Sequence, residues 1–193
     1  RRSGFALREK VVGAEVEMEF SLIPTAASAA RSEWLDRMFT TASLLPFFKP
    51  VSIAVIGASR TPTNIGYRIL DGIVSNGFQG AVYPVNPNAD AVRSIRAYPS
   101  IKDIPDPVEL AVIVVPKEIV LDTVDACAAK GVRAVIVISA GFSEVGEQGK
   151  ALQRQLVDKV RGYGMRLIGP NCLELITTNP DVRLNASFSP IYP

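Results

Sequence analysis

Between Ser52 and Leu70 the chain reads SIAVIGASRTPTNIGYRIL, and the residue types there are those that hold an anion. An apolar run, Ser52 to Ile56, breaks at Gly57; Ala58, Ser59 and Arg60 follow; Ile65 and Gly66 open a helical pattern. A buried strand that turns at glycine and feeds a helix aims backbone N–H groups and the positive end of a helix dipole at one place, which suits a phosphate. Gly57 permits the tight turn and close approach. The Gly57 and Ser59 amides are the expected donors. The Ser59 hydroxyl and the Arg60 guanidinium, a planar fork suited to phosphate, are in reach of the same place. Asn64 is placed to cap the helix.

The nicotinamide dinucleotide fingerprint needs three closely spaced glycines and an acidic residue about 20 positions on, at the end of the second strand. Here serine stands at the second glycine, Gly66 comes too late, and the second strand ends Val85-Asn86-Pro87 with no carboxylate. A dinucleotide site is disfavoured. The alternatives are a strand-to-helix turn without a ligand and a phosphate ligand of another kind.

These residues need a scaffold. Short apolar runs rich in valine and isoleucine predict strands at Ser52–Ile56, Ala81–Val85, Leu110–Val115, Ala134–Ile138 and Arg166–Ile168. Helical spacing predicts Ile65–Asn76, Glu118–Lys130 and Glu147–Tyr163, with Gly77, Gly131 and Gly164 as left-handed stops. Strictly alternating strands and helices predict an α/β, Rossmann-like, doubly wound sheet of five parallel strands, with ligands at the carboxyl ends of the strands. Ahead of it, Phe5–Val11 and Glu15–Ile23 predict a β-hairpin turning at Gly13, with Val16, Met18, Phe20 and Leu22 on one face. A lone hairpin is marginal in water and needs a partner, such as a further domain or a second copy of the chain in a homo-oligomer. Residues 24–45 read as a linker with a short helix over Ser32–Ala42, where Trp34, Leu35, Met38 and Phe39 fall at helical spacing as a packing face.

The chain has 193 residues, 48% hydrophobic and 21% charged, with net charge +2 and no basic block. That is globular composition, and it argues against a nucleic-acid partner. Two cysteines, Cys127 and Cys172, and no histidine leave no disulfide framework, no zinc site and no base to activate a thiol. Neither a signal peptide nor an 18-residue apolar run is present, so the expected setting is the cytoplasm, away from membranes. Glu144 and Glu147, near a helix start, suit the helix dipole better than catalysis, and no catalytic residue is assigned.

Taken with VYPVNP (82–87), VIVVP (112–116), VISAGFSEVGEQG (137–149) and LIGPNCL (167–173), the first loop resembles the CoA-binding domain of NDP-forming acyl-CoA synthetases, relatives of the succinyl-CoA synthetase α subunit. The five motifs occur in the family's order across residues 46–190. The resemblance implies a CoA or acyl-CoA ligand. Gly57 to Arg60 with Ile65 and Gly66 would hold its phosphates. Val85, Asn86 and Pro87 would wall the adenosine, and Val115, Pro116 and Lys117 the adenine or pantetheine. Ser139, Ala140 and Gly141 would flank the pantetheine arm, and Asn171 would lie near the thiol. Two positions depart from the family: Asn88 stands where lysine is common, and Glu174 where glycine is usual. In that family ATP or ADP, Mg and the phosphohistidine come from other domains, so this chain is expected to bind rather than phosphorylate itself. Ser3-Gly4-Phe5 and the hairpin resemble the C-terminal end of a GNAT acetyltransferase domain. Two readings stay open: a ligase module beside downstream ligase domains, and a non-catalytic acyl-CoA sensor fused to an acetyltransferase.

Overall fold

The computed structural model describes the chain course of residues 7–12 and 15–20, and residues 25–189 in full. It divides into two compact units, Arg1–Ser43 and Leu44–Pro193.

In the first unit, β1 (Leu7–Val12) and β2 (Glu15–Phe20) pair antiparallel, Val11 opposite Val16. The expected turn at Gly13, the Ser3-Gly4-Phe5 lead-in and the hairpin's apolar face lie outside what is described. Helix α1 (Ala26–Phe48) starts in the first unit and runs further both ways than expected, continuing through Pro46 near its end. The alanine-rich stretch read as linker is helical because alanine is the best helix former. Trp34, Met38 and Phe39, expected to pack, are 54%, 53% and 70% exposed.

The second unit is built on β3 (Ser52–Ile56), α2 (Ile65–Ser75) and β4 (Ala81–Val85), followed by a miniature hairpin, β5 (Ala91–Val92) and β6 (Ile95–Arg96). Then come β7 (Leu110–Ile113), α3 (Val120–Lys130), β8 (Ala134–Val137), α4 (Glu147–Gly162) and β9 (Arg166–Ile168). An antiparallel pair closes the unit, β10 (Glu174–Thr177) with β11 (Leu184–Ser187). The main sheet is five-stranded and parallel, in the order β4-β3-β7-β8-β9, as expected. Strand order therefore reverses between β3 and β7, and the crevice at their carboxyl ends is the place such sheets offer a ligand.

The continuous apolar runs are explained by burial on both faces. Ala54, Ile56, Ala111, Ile113, Val135 and Val137 face Val120, Val124 and Cys127 of α3 and Leu156 and Val160 of α4. On the other face Ile53, Val55, Val112 and Ile136 meet Ile69, Leu70 and Ile73 of α2, Phe47, and Leu184 and Ala186 of β11. At the end of α1, Leu44, Phe47 and Phe48 line a cleft with Arg166, Leu167 and Ile168 of the edge strand β9.

Two hairpins were not foreseen. The β5–β6 turn is Arg93-Ser94, at φ +51° and +63°. A two-residue turn with both φ positive is normally written Asn-Gly, and Arg-Ser carries no such signal. Arg93 is held instead by the Asp71 carboxylate and by donation to the Ser75 hydroxyl at 2.9 Å. Strand β11, Leu-Asn-Ala-Ser, is buried at all four positions, so no polar–apolar alternation marks it.

Candidate phosphate-binding loop and ligand groove

All five motif loops gather at the carboxyl edge of the sheet. Gly57 takes φ +92°, and a Cβ there would stand 2.2 Å from the Val114 carbonyl oxygen. The first loop thus lies directly on the end of β7. Gly66 is needed for the same kind of reason: its Cβ would come 2.0 Å from the Gly57 oxygen, so only glycine lets α2 start so close to the loop. It fills the helix-packing role of the third fingerprint glycine, although its spacing differs. Asn64 caps α2 as expected, its side-chain oxygen accepting from the Gly66 N–H at 3.4 Å.

The donors differ in one respect from the expectation. The Gly57 N–H donates to the Val85 carbonyl at 3.0 Å, continuing the β3–β4 ladder past the strand, so it has nothing left for a phosphate. Ala58 is 1% exposed and takes no side-chain part in a surface contact. Among the described residues, no hydrogen bond employs the Ala58, Ser59 or Arg60 amide; Ala58 is buried, so Ser59 and Arg60 are the accessible open donors. The Ser59 hydroxyl accepts from the Thr61 N–H at 3.1 Å, which keeps the loop turned; Arg60 and Ile65 are exposed.

Beside the loop runs a groove of about 350 Å³. Gly57, Val85, Pro87 and Val115 line it, as the sequence suggested. So do Ile101, Ile119, Asp122 and Thr123, which the sequence reading missed. These last lie on a single 3-10 turn after Ser100 and at the start of α3, whose helical spacing gave no sign of which residues would face the crevice.

The remaining predicted residues form a second group. The Lys117 stem crosses Gly141 (φ +101°), so close that a Cβ would be 2.4 Å from its Cδ. The Gly141 N–H donates to the Glu144 carboxylate at 2.6 Å. This bond, with others to nearby amides and the charge of Lys117, holds the Glu144 carboxyl below its usual range. Glu144 therefore caps the loop. The Ser139 hydroxyl donates to the Val115 carbonyl at 2.6 Å, and the Asn171 N–H to the Ser139 carbonyl at 3.1 Å. Ala140, Pro116 and Asn171 are exposed around them. Cys172 packs as expected: its thiol donates to the Val137 carbonyl at 3.5 Å, and burial pushes its pKa up, which keeps it protonated. Cys127, fully buried, is pushed up to about 12. Glu174 projects outward at the start of β10 and accepts from the Ser187 hydroxyl at 2.6 Å. Among the described residues no cluster of three or more His, Cys, Asp or Glu is arranged for a metal, and no helix is long and apolar enough to cross a membrane.

A doubly wound parallel sheet with open loop amides and an apolar groove at the strand-order reversal defines a nucleotide-binding α/β domain. The family model that describes the CoA binding domain matches residues 51–178, and the chain belongs to that family. It is 44% identical over 152 residues to the α subunit of an ADP-forming acetate–CoA ligase I from Pyrococcus furiosus, covering 77% of this chain and 32% of that protein. With an ADP-forming 4-hydroxybutyrate–CoA ligase of Nitrosopumilus maritimus it shares 39% over 148 residues, 77% of this chain and 21% of that one. A solved dinucleotide forming acetyl-coenzyme A synthetase 1 from Ca. Korarchaeum cryptofilum, in complex with phosphate and ADP, superposes with TM-score 0.71 and 45% identity over 76% of this chain and 31% of that one. The chain thus spans about a third or less of the length of these relatives.

Proposed function

We propose that the second unit binds CoA or an acyl-CoA thioester, and that it serves as the CoA-binding module of an ADP-forming acyl-CoA ligase. The observation that carries this reading is the pairing of open Ser59 and Arg60 amides with an apolar groove at the switch point. The amides and the N-terminus of α2 suit the phosphates. The walls formed by Val85, Pro87, Val115, Ile101 and Ile119 suit a flat base, with Asp122 and Thr123 as polar groups beside it. Ser139, Gly141 and Asn171 lie further along the sheet, where an extended arm ending in a thiol would reach. Acyl transfer to phosphate, the phosphohistidine and the ATP/ADP and Mg chemistry are assigned to ligase domains beyond this chain, which contains no histidine.

The finer readings extend this one. The hairpin unit is read as the end of an upstream GNAT acetyltransferase domain; its clustering apart from the sheet unit supports that. In that setting the sheet unit would report acyl-CoA to the acetyltransferase from the same site. A cytoplasmic setting fits the ligand.

Titration calorimetry with CoA, acetyl-CoA and NAD tests the proposal. CoA and acetyl-CoA are expected to bind and NAD to bind more weakly. A preference for NAD would overturn it.

A further inference from the structure

Asn86 stands at the end of β4, the position from which dinucleotide folds present a carboxylate to a ribose. Its hydrogen bonds all run into the protein. The side-chain Nδ2 donates to the Ala58 carbonyl at 2.6 Å. The Oδ1 accepts from the Asn88 N–H at 2.7 Å. The backbone N–H donates to the Tyr98 carbonyl at 2.9 Å. Because one partner is a carbonyl and the other an N–H, the orientation of the amide is fixed by chemistry.

One residue earlier, the Val85 carbonyl accepts from the Gly57 N–H. Val85 at the end of β4 and Asn86 just after it therefore grip consecutive residues of the first loop: Val85 takes the Gly57 amide, and Asn86 takes the Ala58 carbonyl. The Ala58 carbonyl shares its peptide group with the Ser59 N–H, so holding that carbonyl fixes the direction of the Ser59 amide, which with the Arg60 amide is an accessible open donor.

We infer that Asn86 is a positioning residue for the phosphate loop and not a contact of the ligand: its amide latches Ala58 so that the Ser59 and Arg60 amides are presented together. The inference rests on the CoA-binding reading of this site. It also explains why asparagine serves where a carboxylate would not. An ionised aspartate only accepts hydrogen bonds, so its second oxygen would face the Ala58 carbonyl and push it away.

The test compares Asn86→Asp and Asn86→Ala with the parent chain, using CoA, dephospho-CoA and NAD as probes and thermal melting as the folding control. Asn86→Asp keeps the bond from Asn88 and the side-chain volume, so it stays informative should the alanine variant fail to fold. If Asn86 is the latch, Asn86→Ala weakens CoA and dephospho-CoA by the same factor, about tenfold. Asn86→Asp weakens them at least as much and acquires no NAD binding, with melting within a few degrees of the parent. Unchanged CoA affinity in both variants overturns the inference, as does a gain of NAD binding by Asn86→Asp, which would place the side chain against the ligand. Failure of the parent chain to bind CoA is a different result: it removes the underlying reading of the site, whereas a binding parent with indifferent variants removes the latch alone.

Discussion

The loops after β3 and β8 begin alike and end in opposite states. Each turns at a glycine with positive φ, Gly57 at +92° and Gly141 at +101°, just past a fully buried strand. After β8 the loop has supplied its own anion: the Glu144 carboxylate sits on the Gly141 amide, with the Lys117 stem laid across the turn. After β3 the glycine amide is absorbed by the neighbouring strand, and the Ser59 and Arg60 amides beyond it have no acceptor among the described residues. A glycine turn at a strand end is therefore not by itself an anion site. What decides is whether the chain has already spent its amides, and on what.

The largest effect expected from breaking this contrast comes at the glycines beneath the first loop. Gly57→Val places a β-branched side chain at φ +92° and against the Val114 carbonyl, so stability should fall by on the order of 3 kcal/mol and CoA binding should be lost with it. Urea denaturation measures this, and a melt like that of the parent would mean that the turn relaxes. Gly66→Ala should be nearly as damaging, for its Cβ would meet the Gly57 carbonyl.

Glu144→Ala comes next and should convert the second loop toward the state of the first. The Gly141 amide would lose its acceptor, and its hydrogen exchange should speed up while CoA affinity changes little. Acid should do the same. The Glu144 pKa is lowered in the folded chain, chiefly by the Gly141 amide, so the bond's contribution is present above the ordinary glutamate pKa and is lost as pH falls through the lowered one. The protection of the Gly141 amide, its exchange relative to the intrinsic rate at each pH, should therefore be lost only below the usual carboxylate range. A loss of protection near neutral pH would show that another group holds the loop.

Arg60→Ala should cost less. Arg60 is exposed, so its contact with a phosphate is screened and worth below about 1 kcal/mol. Comparing CoA with dephospho-CoA locates that contact: a loss confined to CoA puts Arg60 on the 3′-phosphate, and equal losses put it on the diphosphate. Cys172→Ser should leave CoA affinity unchanged within error, because the thiol packs against the Val137 carbonyl. A tenfold loss would place the sulfur in the site.

Strand β3 could be read to the residue because a parallel strand buried on both faces is an uninterrupted apolar run, here ended by Gly57; the half-buried edge strands β4 and β9 were legible instead from the turn residues Asn86-Pro87 and Gly169-Pro170 that follow them. The presence of Gly57 and Gly66 was legible too, but not their reasons: both answer to backbone oxygens, of which Val114 is over 50 positions away. The spent amide of Gly57 was invisible for the same cause, since its acceptor, Val85, belongs to another strand. Asn86 was read as a wall of the site because its residue type allows that; only the positions of Ala58 and Asn88 reveal a side chain turned inward. The groove residues Ile101, Ile119, Asp122 and Thr123 were missed because which side of a short helical turn faces the crevice depends on packing.

Backbone amide shifts, followed by NMR as CoA is added, test the central claim most directly. Phosphates held on the open amides of the first loop should move the Ser59 and Arg60 N–H resonances most, with Gly57 and Gly141, already bonded within the protein, moving far less. A response centred on Gly141, with Ser59 and Arg60 unmoved, would contradict the account and place the phosphates on the loop after β8.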